Sequence, residues 1–129
     1  MRVLLDTNAY SALMRGHDGV SERVRRAERV LLSAVVAGEL MFGFRAGTRF
    51  EQNVRGLHAF LDNPYVDFLP VTLSTADRFG RIAAALRRRG RPIPTNDIWI
   101  AAHAFESGAE LLSFDEHFHA VAGLVWTKP

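Results

Sequence analysis

Four acidic residues stand where a carboxylate could do chemistry. Asp6 follows the apolar run Val3-Leu4-Leu5, and Asp115 closes the run Leu111-Leu112-Ser113-Phe114, so each lies just past a segment that reads as a buried strand. Glu39 sits among Val35, Val36, Leu40, Met41 and Phe42, and Asp97 heads Ile98-Trp99-Ile100-Ala101-Ala102. Each acid has an ordinary explanation, because an aspartate can cap a helix or form a turn and a glutamate on a helix can face water. The apolar company of Glu39 and Asp97 weakens that explanation, since a carboxylate removed from water needs a partner. No lysine is near any of the four, and the arginines nearby could pair with only some of them. Gathered carboxylates repel one another unless a cation lies between them. The chain has no cysteine, so such a cation is held by oxygen or imidazole. An all-oxygen set favours Mg²⁺ or Mn²⁺, and phosphodiester cleavage is the chemistry that suits it.

The elements that would position these acids alternate in type. Val3 to Leu5 reads as a strand, and a helix is expected from about Ala9 to Met14 before a break at Gly16 to Gly19. Ser21 to Arg29 has helical character, Val30 to Ser33 that of a strand, and a further helix is expected from about Ala37 to Ala46, with Gly47 after it. Phe50, Val54, Leu57 and Leu61 keep a helical rhythm across Thr48 to Leu61, and Tyr65 to Leu69 is the next strand candidate. Ser74 is placed to cap a helix from about Thr75 to Arg89, and Asp97 to Glu106 is the next helical run. Glu110 to Phe114 and Leu124 to Trp126 complete the strands. Short apolar strands alternating with helices predict an α/β fold: a short, mainly parallel sheet with helices on both faces. In such a sheet, ligands gather outside the carboxyl ends of the strands, where Asp6 and Asp115 fall.

A chain of 129 residues with 48% hydrophobic and 23% charged residues is expected to fold as one domain over residues 1–129, with no repeat or linker. No stretch approaches the length of a membrane helix, and the apolar run at the start is too short for a secretory signal, so a cytoplasmic location is expected. The net charge is only +2, yet fifteen of the sixteen basic residues are arginine. That bias permits recognition of phosphate by planar forks, and a GC-rich genome would explain it equally well.

The quoted segments resemble a known family. Leu4-Leu5-Asp6-Thr7-Asn8, then Glu39-Leu40 followed by Phe42-Gly43, then Asn96-Asp97-Ile98-Trp99-Ile100-Ala101-Ala102-His103-Ala104, then Leu111-Leu112-Ser113-Phe114-Asp115-Glu116-His117-Phe118 resemble the four motifs of PIN domains in order and spacing. One departure is Ser113 where threonine is commoner, and the hydroxyl is kept. The resemblance implies a single PIN domain and a metal-dependent ribonuclease of the VapC type, the toxin of a VapBC toxin–antitoxin pair. It implies Asp6, Glu39, Asp97 and Asp115 as catalytic and metal-holding acids, with Thr7, Asn8 and Ser113 in support. It also implies Mg²⁺, replaceable by Mn²⁺, water activated by the ion, products with 5′-phosphate and 3′-hydroxyl ends, an RNA substrate, a cognate antitoxin and a homodimer.

Other residues could compete for function. His117 and His119 are two apart and point to different sides of a helix, so a shared acid–base pair is not expected, and surface or structural roles are assigned to both. His103 is expected to pack, and Trp99 and Phe105 are expected in the core or at a dimer contact. Arg45 and Arg49 follow the Glu39 helix and are expected to line the approach for RNA or antitoxin, with a solvated helix end as the alternative. The cluster from Arg87 to Arg91 is expected further off. Two rival functions stand beside the nuclease: a catalytically silent PIN-like module that binds RNA or protein, and a metal nuclease directed at DNA.

Overall fold

The computed structural model describes residues 1–129. In chain order the elements are β1 (Arg2–Leu5), α1 (Thr7–Met14), α2 (Asp18–Arg26), β2 (Arg29–Ser33), α3 (Ala34–Ala46), α4 (Phe50–Leu61), β3 (Val66–Leu69), α5 (Leu73–Arg88), α6 (Thr95–Ser107), β4 (Glu110–Leu112), a 3₁₀ helix (Glu116–Ala120) and β5 (Trp126–Thr127). The strands form one sheet in the order β3-β2-β1-β4-β5, and every pairing is parallel. The sheet is thus wholly parallel, where a mainly parallel one was expected. No helix is long and apolar enough to cross a membrane.

Burial explains the strand sequences. Val3, Leu4 and Leu5 of β1, Val30 to Leu32 of β2 and Leu111 and Leu112 of β4 are almost wholly inaccessible to solvent. Strands covered on both faces have no solvent side, so alternation gives way to continuous apolar runs. The chain winds from β1 outward to β3, then returns across β1 to β4 and on to β5. Right-handed crossovers running in opposite directions put their helices on opposite faces. The reversal also opens a crevice between the carboxyl ends of β1 and β4.

Every helix differs from the sequence expectation at one end or both, and several of the differences have a local reason. α1 begins at Thr7, because Asp6 caps it by accepting from the Ala9 N–H. α2 ends at Arg26, since Arg29 already belongs to β2. α3 begins at Ala34, capped by Ser33, whose side chain accepts from the Val36 N–H at 3.1 Å. α5 is capped by Thr72 and not by Ser74, through a reciprocal pair with Thr75. α6 begins at Thr95, which puts Asp97 third in the helix, and it ends at Gly108, whose φ of 69° is open to glycine. The last strand is Trp126–Thr127, later than expected. His103 is fully buried, as expected of a packing residue, and Trp99 stacks on Phe79 with ring centroids 4.2 Å apart.

Ser33 is wholly buried at the junction of β2 with the helix that carries Glu39. Ser33→Ala leaves the Val36 N–H unpaired in an apolar setting and is expected to cost about 1 kcal/mol. For a domain of this size that lowers the melting temperature by roughly 3 to 5 °C, measured by circular dichroism. An unchanged melt means the cap contributes nothing.

Candidate functional site

Strand register brings the first two partners together. Leu5 of β1 pairs with Leu112 of β4, so the next residues, Asp6 and Ser113, face each other at the carboxyl ends of neighbouring strands. The Ser113 hydroxyl donates to Asp6 Oδ2, while Asp6 Oδ1 accepts from the Ala9 N–H at 2.9 Å. Ser113 Oγ also accepts from the Asp115 N–H at 2.9 Å, which ties the loop after β4 to β1. Asp115 caps the 3₁₀ helix by accepting the His117 N–H at 2.9 Å.

The other two acids come in from helices. Thr7, first in α1, donates its hydroxyl to Glu39 Oε1 at 2.5 Å, and Asn96 of α6 donates to Glu39 Oε2 at 3.2 Å. Both carboxylate oxygens of Glu39 are thereby held. Asp97 follows Asn96 in the first turn of α6 and is half-buried. All four acids line one trough of about 510 Å³, together with Thr7, Asn8 and Asn96. The quartet singled out in the sequence is therefore assembled in space, with Thr7, Asn8 and Ser113 against it.

The electrostatics of the trough are one-sided. No arginine or lysine forms an ion pair with Asp6, Glu39, Asp97 or Asp115. Elsewhere the chain supplies such partners: buried Glu110, at the start of β4, is held by Arg23 and Thr127, and Asp67 takes both an Nε and an NH2 contact from Arg29. Burial pushes the Asp6 carboxyl up to about 6 from an ordinary 3.8, against the hydrogen bonds from Ser113 and Ala9, and Asp97 and Asp115 add repulsion. Burial also raises Asp97, with Asp115 and Glu39 pushing the same way and His117 opposing them. An oxygen-rich trough whose acids have no arginine or lysine partner fits a divalent cation.

Two outcomes depart from expectation. Arg45 stacks over the Phe50 ring at 4.3 Å, and neither it nor Arg49 lines the trough. Arg91, from the cluster expected further off, instead lines an adjoining depression of about 660 Å³ that shares Asn8 and Asp115 with the trough. The second departure is His117. Its Nδ1 lies 2.9 Å from Asp115 Oδ1 and 3.2 Å from Asp97 Oδ2, inside the acidic group. It shares no site with His119, as expected, for His119 packs edge-on against Trp126. The overlooked signal was the spacing Asp115 to His117, which a 3₁₀ turn folds back onto the capping acid.

A doubly wound parallel sheet with acids converging at its switch point defines an α/β protein whose candidate cation site lies where such sheets take their ligands. The profile of the PIN domain matches residues 3–124, and the chain belongs to that family. Among its relatives, Ribonuclease VapC1 of Haemophilus influenzae (strain R2866) is 30% identical, over 98% of this chain and 96% of the relative. The tRNA(fMet)-specific endonuclease VapC of Shigella flexneri is 28% identical, over 96% and 95%. The fold matches a chain of the VapBC-1 structure from nontypeable Haemophilus influenzae with a TM-score of 0.86 and 29% identity, covering 99% of this chain and 98% of that one.

The raised Asp6 gives a signed pH dependence. A carboxyl protonated more readily in the folded than in the unfolded chain favours folding at low pH, and that contribution is lost as pH rises through about 6. In EDTA, Asp6→Asn should gain stability relative to the parent between pH 4.5 and pH 8, by roughly 2 kcal/mol at about 1.4 kcal/mol per unit. The check is the difference in melting temperature between the two proteins across that range. A difference that stays flat means that Asp6 is ionised at no cost in the metal-free protein.

Proposed function

We propose that this chain is a metal-dependent ribonuclease and the toxin of a VapBC-type pair, with Asp6, Glu39, Asp97 and Asp115 as its catalytic acids. The observation that carries the reading is the convergence of the four acids in one trough without an arginine or lysine partner. Homology to VapC ribonucleases over nearly the whole chain supports RNA as the substrate. Mg²⁺ is the ion assigned, with Mn²⁺ able to replace it. When bound, it supplies a Lewis acid for phosphate oxygens and lowers the pKa of water for attack on phosphorus.

The chain's own groups set the geometry. Ser113 and the Ala9 N–H fix both oxygens of Asp6, while Thr7 and Asn96 fix those of Glu39, so these carboxylates are oriented before an ion or substrate arrives. Asp97 is carried on a rigid helix and Asp115 on the cap of the 3₁₀ helix. Arg91 and Asn8, in the adjoining depression, are placed to take the neighbouring phosphate of an RNA strand. Retention of all four acids disfavours the silent-module alternative.

The same reading includes a cognate antitoxin, a second copy of the chain and a cytoplasmic location. Phe42 and Leu73, 79% and 87% exposed, are apolar surface that a protein contact would cover.

Incubation of the purified protein with an RNA panel, with and without Mn²⁺, is expected to yield fragments with 5′-phosphate ends, and EDTA is expected to stop cleavage. Asp97→Asn should slow single-turnover cleavage at least about 100-fold with an unchanged circular dichroism spectrum. Full cleavage in excess EDTA, or 2′,3′-cyclic phosphate ends, contradicts the reading. A preference for single-stranded DNA over RNA would favour the DNA nuclease instead.

A further inference from the structure

His117 is the one titratable group in the acidic site that the four carboxylates do not account for. Its position is imposed by the backbone: Asp115 caps the 3₁₀ helix through the His117 N–H, and the next residue, Phe118, is fixed by near-complete burial in the core. The imidazole is thereby directed at the acids instead of ranging over the surface. Nδ1, Asp97 Oδ2 and an Asp115 oxygen are three donor atoms that lie within 4.8 Å of one another. The distances from Nδ1, 2.9 and 3.2 Å, bracket the separation of about 3 Å between adjacent ligands around an octahedral ion with bonds near 2.1 Å. No lysine or arginine competes for this place.

We propose that His117 is a nitrogen ligand of the metal ion held by Asp97 and Asp115, and that it biases the site towards Mn²⁺ over Mg²⁺. The bias follows from donor chemistry. Mg²⁺ is held by carboxylate, carbonyl and water oxygens, whereas imidazole nitrogen adds affinity for transition-metal ions. Replacing one oxygen or water by imidazole therefore strengthens Mn²⁺ binding and leaves Mg²⁺ binding little changed. The inference rests on the metal-dependent reading of the site given above, and it adds a ligand role to the surface or structural one expected for this histidine.

The test uses the full chain without RNA. Pulsed electron paramagnetic resonance of bound Mn²⁺ should show coupling to a ¹⁴N nucleus in the parent and in His119→Ala, and none in His117→Ala. Calorimetry on the same proteins should show His117→Ala weakening Mn²⁺ binding about tenfold while changing Mg²⁺ binding less than twofold. That substitution keeps the backbone N–H that caps the 3₁₀ helix, and circular dichroism checks the fold. The coupling in the parent needs no variant at all. Mn²⁺ bound without ¹⁴N coupling overturns the proposal and leaves the metal reading standing, as does an equal loss of Mg²⁺ and Mn²⁺ affinity, which marks an orienting role on Asp115. A parent that binds no Mn²⁺ overturns both.

Discussion

Mutual repulsion among four carboxylates in one trough is the constraint on which the rest of the structure depends. Asp6 is buried and faces Asp97 and Asp115 without a guanidinium or ammonium group to offset them. The fold does not lack the means to do so, for it gives Glu110 an arginine and Asp67 another. Leaving the trough unpaired stores electrostatic free energy there, and a divalent cation is the natural way to release it. The surrounding apolar packing must hold the acids together meanwhile.

The means of holding them is local and economical. The change of direction at β1 places the ends of β1 and β4 side by side, and the Ser113 hydroxyl bridges them by donating to Asp6 and accepting from the Asp115 N–H. Thr7 does the same between α1 and α3 through Glu39, and Asn96 draws α6 to the same carboxylate. Asp6, Glu39 and Asp115 are thus oriented by a hydroxyl, an amide or a backbone N–H, all neutral, while Asp97 meets the His117 imidazole. Neutral donors fix direction without cancelling the charge that attracts a cation.

Much of this was legible in the sequence because the strands are covered on both faces. Runs such as Val3-Leu4-Leu5 and Leu111-Leu112 end abruptly, and the polar residues next to those ends are the ones that reach the site. Helix starts were less legible, because side chains immediately before the apolar rhythm set them: Asp6, Ser33 and Thr72 each begin a helix earlier than periodicity suggests. Arg45 and Arg49 were read as near the acids because they follow Glu39 in the chain, but Arg45 is spent on the Phe50 ring. Arg91 reaches the neighbouring depression from a loop whose path no periodicity reports. The nearest histidine to His117 in sequence is His119, but its partners in space are Asp115 and Asp97, the latter twenty residues away in another helix.

The central claim is that a divalent cation supplies the positive charge the trough lacks. The most direct measurement is the thermal melt of the metal-free parent at pH 7.5 in EDTA and again in Mn²⁺ at ten times its dissociation constant, with Asp97→Asn alongside. An ion that binds only the folded chain stabilises it by about 1.4 kcal/mol at that concentration, so the parent should melt roughly 3 to 6 °C higher, and the variant should gain little. Identical melts of the parent in EDTA and in millimolar Mn²⁺ would contradict the account, because the four acids would then be stable together without the charge they are held to require.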